Sequence, residues 1–331
     1  MNKKKILLIA IPNYAKGIIK KMEEMGYDVY FIPDKPNESA ITKILGRLKT
    51  PLYQKILMEY YKEKIGALPQ EDDFYRILII RGEYTPIGAI RLLKEKYPSA
   101  KRILYMWDSI INNRGIQKKW DYYDELYTFD RKDYLNNINI IRFLPLFYYE
   151  DCLPKKNSED YEYDLSFIGT AHEDRIKIVN EACKKLENDG FKCFKYYYLP
   201  HYLVYLYNKI TNKWFKGVRK NEIMFKPLPF NQLYEIYGKS NCIIDIESSS
   251  QTGLTMRTIE IIGLKKKLIT TNKDVINYDF YNQNNICVID RNNPIIDEEF
   301  FKTPYVLLQE NIYKKYALSS WLKYILEGEK V

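Results

Sequence analysis

The stretch CIIDIESSSQTGLTMRTIEIIG, residues 242–263, decides the fold. Cys242 to Ile246 is a short apolar run rich in β-branched residues, as expected of a strand buried on both faces. It empties into Ser248-Ser249-Ser250, and the apolar spacing that resumes afterwards predicts a helix over 253–264. Thr252 or Thr255 supplies a cap for that helix, and Arg257 and Glu260 stand one turn apart on a common face. As a purely structural pair they would contribute only roughly a few tenths of a kcal/mol. A strand, a polar loop and a helix start in this order direct backbone N–H groups at an anion.

The same rhythm extends in both directions. The spacing predicts strands over 4–11, 27–32, 76–81, 102–107, 125–130 and 139–144, with helices over 14–25, 39–66, 86–96, 114–123 and 132–137. Pro51 is expected to break the 39–66 helix. After a charged stretch from Pro154 to Asp160, which reads as a linker, strands are predicted over 164–168, 191–196, 222–227, 242–247, 267–271 and 286–290. Helices are predicted over 173–188, 202–214, 231–239, 253–264 and 311–326. Strands alternating with helices imply parallel sheets. The expected class is therefore α/β: two tandem Rossmann-like, doubly wound domains, residues 1–150 and 151–331, facing across a cleft, with the last helix packing back on the first domain.

With 331 residues and 46% hydrophobic content, the chain suits two packed cores. Its longest apolar runs, such as Ile6 to Ile11, fall far short of the roughly 20 residues that span a bilayer, so a soluble protein is expected. The basic start followed by that run superficially resembles a signal peptide, but Pro12-Asn13-Tyr14 follows without a small-residue cleavage pattern, and the run reads as a first strand. Five widely spaced cysteines without a Cys-x-x-Cys suggest neither a disulfide frame nor a zinc site, which fits a reducing cytoplasm.

Net charge is +9, and it is unevenly placed. Between Lys192 and Lys226 eight Lys/Arg face one acid, Glu222, for a local excess of +7. Aromatics share this stretch, so Tyr202, Lys213, Trp214, Lys216 and Arg219 are candidates for contact with an anionic membrane surface; a solvated basic face is the alternative. No nucleic-acid-binding motif is present.

Ligands of open parallel sheets lie beyond the C-terminal strand ends. There stands Asp164-Leu165-Ser166-Phe167-Ile168-Gly169-Thr170-Ala171-His172, where Gly169 lets a ligand approach the backbone and His172 and Arg175 are within reach of an anion. A single glycine excludes the dinucleotide fingerprint, and a P-loop is missing. A serine-hydrolase elbow is absent as well. No Asp-x-Asp stands at a strand end and the two histidines are isolated, so no metal site is expected.

Tyr105-Met106-Trp107-Asp108-Ser109, Thr128-Phe129-Asp130, Phe143-Leu144-Pro145-Leu146, the Asp164–Thr170 strand, and above all Gln251–Glu260 with Lys267-Leu268-Ile269-Thr270-Thr271-Asn272 carry a resemblance. Over most of its length the chain resembles bacterial GT-B glycosyltransferases of the capsule and lipopolysaccharide type, the group that includes CgeB-like proteins. The resemblance implies that Glu260 binds a nucleotide ribose and that Gln251, Thr252 and Gly253, with the adjoining Leu254, hold a diphosphate. Two departures stand out: many retaining members carry a glutamate where this chain has Thr252, and related proteins often have His-Pro where Ser248-Ser249 stand. Retention or inversion of the sugar is left open.

The expected donor site is thus Gly169, Thr170, His172, Gln251, Thr252, Gly253, Leu254, Arg257 and Glu260. Glycosyl transfer with inversion also needs a base, for which Asp108, beside a Trp107 able to stack on a sugar, is the first candidate and Glu83 the second. Arg257 is expected to stabilise the leaving diphosphate. The expected partners are a nucleotide sugar and a glycan or lipid-linked acceptor, without a cofactor or metal, at the cytoplasmic side of the membrane. A nucleotide-sugar epimerase or hydrolase of the same fold, or a non-catalytic binding partner, is the rival reading.

Overall fold

A computed structural model describes residues 3–36, 50–70, 74–152 and 161–328. The chain divides into two compact units. Unit 1 runs to Pro145 and includes the residues from Leu322 onward, and unit 2 is Leu146–Trp321.

Unit 1 is a six-stranded parallel sheet in the order β2-β1-β3-β4-β5-β6. Its strands are β1 (Lys5–Ala10), β2 (Asp28–Pro33), β3 (Arg76–Ile80), β4 (Lys101–Met106), β5 (Glu125–Thr128) and β6 (Arg142–Phe143). Unbroken burial of Ile6 to Ala10 and of Ile77 to Ile80 follows from cover on both faces. The cover is α1 (Pro12–Glu24), α2 (Pro51–Gly66), α3 (Ile87–Lys96), a 3-10 segment Ile116–Tyr122 and α4 (Arg131–Asn136). On α1 the buried residues Ala15, Ile18 and Met22 recur at helical spacing, and Gly26 at φ +91° ends it in a conformation that glycine adopts without strain. A helix begins at Pro51, where a break was expected: proline sits at the first helical position of α2 and the Thr50 side chain caps the Tyr53 N–H at 3.2 Å. Residues 39–49 of the expected helix lie outside the described residues, as does the expected linker, 154–160.

Unit 2 is a second parallel sheet in the order β12-β11-β10-β7-β8-β9. Its strands are β7 (Tyr163–Thr170), β8 (Cys193–Tyr198), β9 (Ile223–Met224), β10 (Ser240–Asp245), β11 (Lys267–Thr270) and β12 (Ile286–Val288). The helices are α5 (Arg175–Asn188), α6 (Tyr202–Thr211), α7 (Phe230–Gly238), α8 (Met256–Gly263), α9 (Glu299–Lys302) and α10 (Glu310–Lys315); the last helix, α11 (Leu318–Glu327), begins in unit 2 and its residues from Leu322 onward belong to unit 1. Two expected helices are divided. The 202–214 helix stops at Thr211 because the Asn212 side chain accepts the Trp214 N–H at 3.0 Å and starts a 3-10 turn. The 311–326 helix is interrupted at Tyr316-Ala317, where Tyr148 N–H donates to the Tyr316 carbonyl (2.9 Å) and Leu318 N–H to the Tyr148 carbonyl (3.0 Å). No described helix is long and apolar enough to cross a membrane.

The order of strands places the points where each sheet reverses direction. In unit 2 the chain first builds outward through β7, β8 and β9, then returns to add β10, β11 and β12 on the other side, so the switch lies between β7 and β10. In unit 1 it lies between β1 and β3. At such a point the loops leaving adjacent strands part in opposite directions and open a crevice.

Candidate functional site

At the switch of unit 2, β10 delivers Asp245, which is 1% exposed, and every oxygen of its carboxylate is used. Oδ1 accepts from Arg257 Nη1 at 2.8 Å, and Oδ2 accepts from the hydroxyls of Thr258 (2.9 Å) and Thr255. Thr255 is also the cap of α8, its Oγ1 accepting the Thr258 N–H at 3.2 Å, which is why the helix starts at Met256 and not at 253. One buried carboxylate therefore fixes the helix start and the arginine together. A buried charge is tolerated only when paired and hydrogen-bonded in this way.

Arg257 donates from Nε to the Tyr237 hydroxyl at 3.2 Å and lies across Gly169 of β7. A Cβ at Gly169 would meet Arg257 Nη2 and the Phe167 ring at 3.0 Å. Glycine here lets the guanidinium approach the strand end closely, a role that reading Gly169 as ligand space did not anticipate. Arg175, at the start of α5, donates from Nε to the Ile246 carbonyl at 2.7 Å. Burial, and after it the like charge of Arg257, lowers the Arg175 pKa, so two cations stand close together at this strand end.

Glu260 sits one turn into α8, half-buried, and its carboxylate accepts no hydrogen bond among the described residues. Burial pushes its pKa up to about 7, with Arg257 opposing and Asp245 adding to the shift. An acid that holds its proton more tightly folded than unfolded makes the native state bind more protons between the two pKa values, so stability falls as pH rises from about 4.5 to about 7. Replacing it by glutamine is therefore expected to leave the unliganded melting temperature unchanged at low pH and to raise it progressively toward neutrality. After allowing for the water that still reaches the carboxylate, the gain is on the order of 1–2 kcal/mol. Parallel pH profiles for wild type and Glu260→Gln would show that the group titrates normally.

The loop between β10 and α8 is pinned from several sides. Gln251 N–H closes a turn onto the Ser248 carbonyl at 3.0 Å, and its side chain donates to the Gly253 carbonyl at 3.1 Å. Asn272, just past β11, donates to the carbonyls of Thr252 (3.1 Å) and Gly253 (3.4 Å). Leu254 is buried, so its side chain is not open to a ligand. Glu173, in the left-handed region at φ 51°, accepts the Ser249 N–H and the Ser248 hydroxyl, each at 2.9 Å. Burial raises its pKa, but these bonds outweigh that and hold it below the usual carboxylate range. Beneath them Arg291 grips Asp174 with two nitrogens (2.7 and 3.0 Å) and Glu247 with a third (3.0 Å). Asp245, Glu173 and Arg291 were not singled out in the sequence. The one signal available was an acid closing the apolar run of β10.

The remaining expected residues fall as follows. Thr170 ends β7, its carbonyl 3.5 Å from Arg175 Nη1, and the largely exposed His172 stands 3.4 Å from Glu173. In unit 1, Trp107 and Asp108 follow β4. The Trp107 ring lies 5.2 Å from that of Tyr14. Asp108 Oδ1 accepts from Ser109 N–H (3.0 Å) and Asn112 Nδ2 (3.1 Å), and Oδ2 accepts nothing among the described residues. Glu83 is placed differently: its Oε2 is held at 2.6 Å by Arg81, and its loop is fixed by Lys119 Nζ, which donates to the carbonyls of Gly82, Glu83 and Thr85. It also borders a pocket of about 150 Å³ with Tyr84, Asn113 and Lys119. Tyr202, Lys213, Trp214, Lys216 and Arg219 lie on α6 and the turn after it, in unit 2. Among the described residues no group of three or more His, Cys, Asp or Glu is arranged to hold a metal ion.

No protein-family model and no curated protein sequence matches the chain, so the capsule and lipopolysaccharide grouping has no support from sequence families. Solved structures do match. The HepE protein of Anabaena, in complex with UDP and glucose, is similar with a TM-score of 0.59 at 10% identity, covering 98% of this chain and 99% of its own. UDP-N-acetylglucosamine 2-epimerase from Neisseria meningitidis, bound to its nucleotide sugar, matches with a TM-score of 0.58 at 10% identity over 98% of each chain. The fold is GT-B. The catalytic domain of starch synthase IV from Arabidopsis thaliana, bound to ADP and acarbose, belongs to the same set, with a TM-score of 0.57 at 9% identity over 99% of this chain and 97% of that one. At such identities the GT-B likeness concerns architecture, two six-stranded parallel-sheet units in one chain.

Proposed function

We propose that this GT-B protein is a glycosyltransferase: unit 2 binds a nucleotide-activated sugar, and unit 1 binds the acceptor and supplies the base. The observation that carries the reading is the corner between β7 and β10. There Gly169, the doubly anchored Arg257, the start of α8 and a Glu260 carboxylate that accepts no hydrogen bond among the described residues come together. Each part has a chemical counterpart in a nucleoside diphosphate. The arginines and the helix N-terminus suit the diphosphate, and the carboxylate suits a pair of ribose hydroxyls. The neighbours in fold that were solved with UDP, a UDP-sugar or ADP support the same ligand class.

In the reaction the acceptor hydroxyl oxygen forms a bond to the anomeric carbon while the bond from that carbon to the diphosphate breaks. The leaving nucleoside diphosphate keeps the electron pair, and its added charge is met by Arg257 and Arg175. If the configuration inverts, the hydroxyl proton passes to the open Oδ2 of Asp108. Glu83 is the weaker candidate because its carboxylate is already held by Arg81. Charge stabilisation is assigned to side chains and amides, with no metal or cofactor. The assignment of the acceptor to a surface polysaccharide or lipopolysaccharide rests on the sequence resemblance alone.

An epimerase or hydrolase acting on the nucleotide sugar is the second reading, favoured by the fold likeness to UDP-N-acetylglucosamine 2-epimerases. Product analysis with a UDP-sugar and no acceptor separates the two. A transferase leaves the donor essentially intact until an acceptor glycan is added, whereas appearance of an epimer or free sugar at a comparable rate without acceptor would replace the transferase reading.

A further inference from the structure

Helix α6 turns its apolar side outward. Leu203, Leu206, Tyr207 and Ile210 are 65%, 39%, 65% and 85% exposed, whereas Tyr205 between them is buried. Their spacing of three, four and seven residues gathers them into an arc of about 100° on the helix surface. The opposite side is bolted down: the Tyr205 hydroxyl donates to the Val218 carbonyl at 3.0 Å, and Asn212 Nδ2 donates to the Glu173 carbonyl at 2.9 Å. The outward stripe is therefore a feature of a fixed helix. Contiguous exposed apolar side chains of this kind mark a surface that meets something else.

The charge around the stripe says what that is. From Leu199 to Asn221 the chain carries five Lys/Arg (Lys209, Lys213, Lys216, Arg219, Lys220) and no Asp or Glu. Among the described residues only Arg219 of these five is paired with a carboxylate, that of Glu222 at 2.9 Å. Lys209 donates to the Lys216 carbonyl, and Lys213 and Lys220 lie over the rings of Trp214 and Tyr202, so these contacts leave their positive charge uncompensated. A protein partner would be expected to meet a mixed rim of both signs. An apolar stripe on a helix, bordered by an excess of cations and by half-exposed Tyr and Trp, has the make-up of an element lying in the headgroup region of a bilayer.

We propose that α6 and the following turn dock unit 2 on an anionic lipid surface, with Leu203, Leu206, Tyr207 and Ile210 entering the acyl boundary and Lys213, Lys216 and Lys220 facing the headgroups. The docking is independent of the donor site and of the reaction assigned to it. Co-sedimentation of the full chain with vesicles of phosphatidylcholine alone, or of phosphatidylcholine with phosphatidylglycerol, tests it. Binding is expected to be at least about tenfold stronger to the anionic vesicles and to weaken with salt. The double substitution Leu206→Asp/Ile210→Asp is expected to abolish it, and Lys213→Glu/Lys216→Glu to reduce it at least about tenfold. Both variants change exposed positions, and unchanged circular-dichroism melts establish that they fold. Equal binding to both vesicle types, or full binding by the Leu206→Asp/Ile210→Asp variant, overturns the proposal. So does a wild-type dimer in light scattering that the same variant converts to monomer, since the stripe would then be covered by a second copy.

Discussion

Glu260→Ala is expected to remove at least about two thirds of the stabilisation of the protein by nucleoside diphosphates while leaving the unliganded protein at least as stable as wild type. Two charge-assisted hydrogen bonds from ribose hydroxyls would be lost, weakening binding by about 2–4 kcal/mol, or roughly 30- to 1000-fold. For wild type at a ligand concentration near 100 times Kd, linkage gives about 2.7 kcal/mol, a rise of several degrees in melting temperature. The variant at the same concentration should keep at most about a third of it, about 0.9 kcal/mol for a 30-fold loss and almost none for a 1000-fold loss. The unliganded protein should not suffer, because the carboxylate accepts no hydrogen bond from the described residues and burial raises its pKa, so removing it relieves a poorly solvated charge. This pairing distinguishes a ligand-binding carboxylate from a structural one. A structural Glu260 would lower the unliganded melting point and leave the ligand-induced shift in place.

Asp108→Asn is expected to lower turnover by about 10²- to 10⁴-fold with donor affinity unchanged, the range for loss of a general base. Asparagine keeps an acceptor for the Ser109 N–H and the Asn112 side chain, so the loop after β4 should hold its shape. What it removes is the basicity of the open oxygen. Glu83→Gln makes the comparison informative. It weakens a 2.6 Å ion pair with Arg81, in a turn where both Arg81 (φ 76°) and Gly82 (φ 66°) lie in the left-handed region. A side chain at Gly82 would also strike Leu104, at 2.5 Å from its Cβ. That turn is held by packing and by Lys119, so the expected cost of Glu83→Gln is chiefly in stability and smaller in rate. A full-rate Asp108→Asn enzyme would remove the base and point to a retaining reaction.

The strands were legible because parallel strands buried on both faces are written as apolar runs such as Ile6 to Ala10 and Ile77 to Ile80. The helix ends were less legible, each for a tertiary reason. Asn212 turns the chain after α6, Tyr148 inserts a backbone pairing between α10 and α11, and Thr255 postpones the start of α8 because its hydroxyl is engaged by Asp245. At the candidate site, Gly169, Arg257 and Glu260 could be found locally, from a strand ending in glycine and from an arginine and glutamate at helical spacing. Their organisers could not. Asp245 acts on residues 10 to 13 positions away, and Arg291 reaches Asp174 across 117 positions. Periodicity carries no information about partners so distant.

The central claim is that the β7–β10 corner of unit 2 holds a nucleoside diphosphate. A crystal structure of the protein soaked with a UDP-sugar tests it most directly. The account predicts diphosphate oxygens at the start of α8 within hydrogen-bonding distance of Arg257 or Arg175, and both ribose hydroxyls on the Glu260 carboxylate. Nucleotide density at another place, with Glu260 still open and Arg257 bound only to Asp245 and Tyr237, would contradict it.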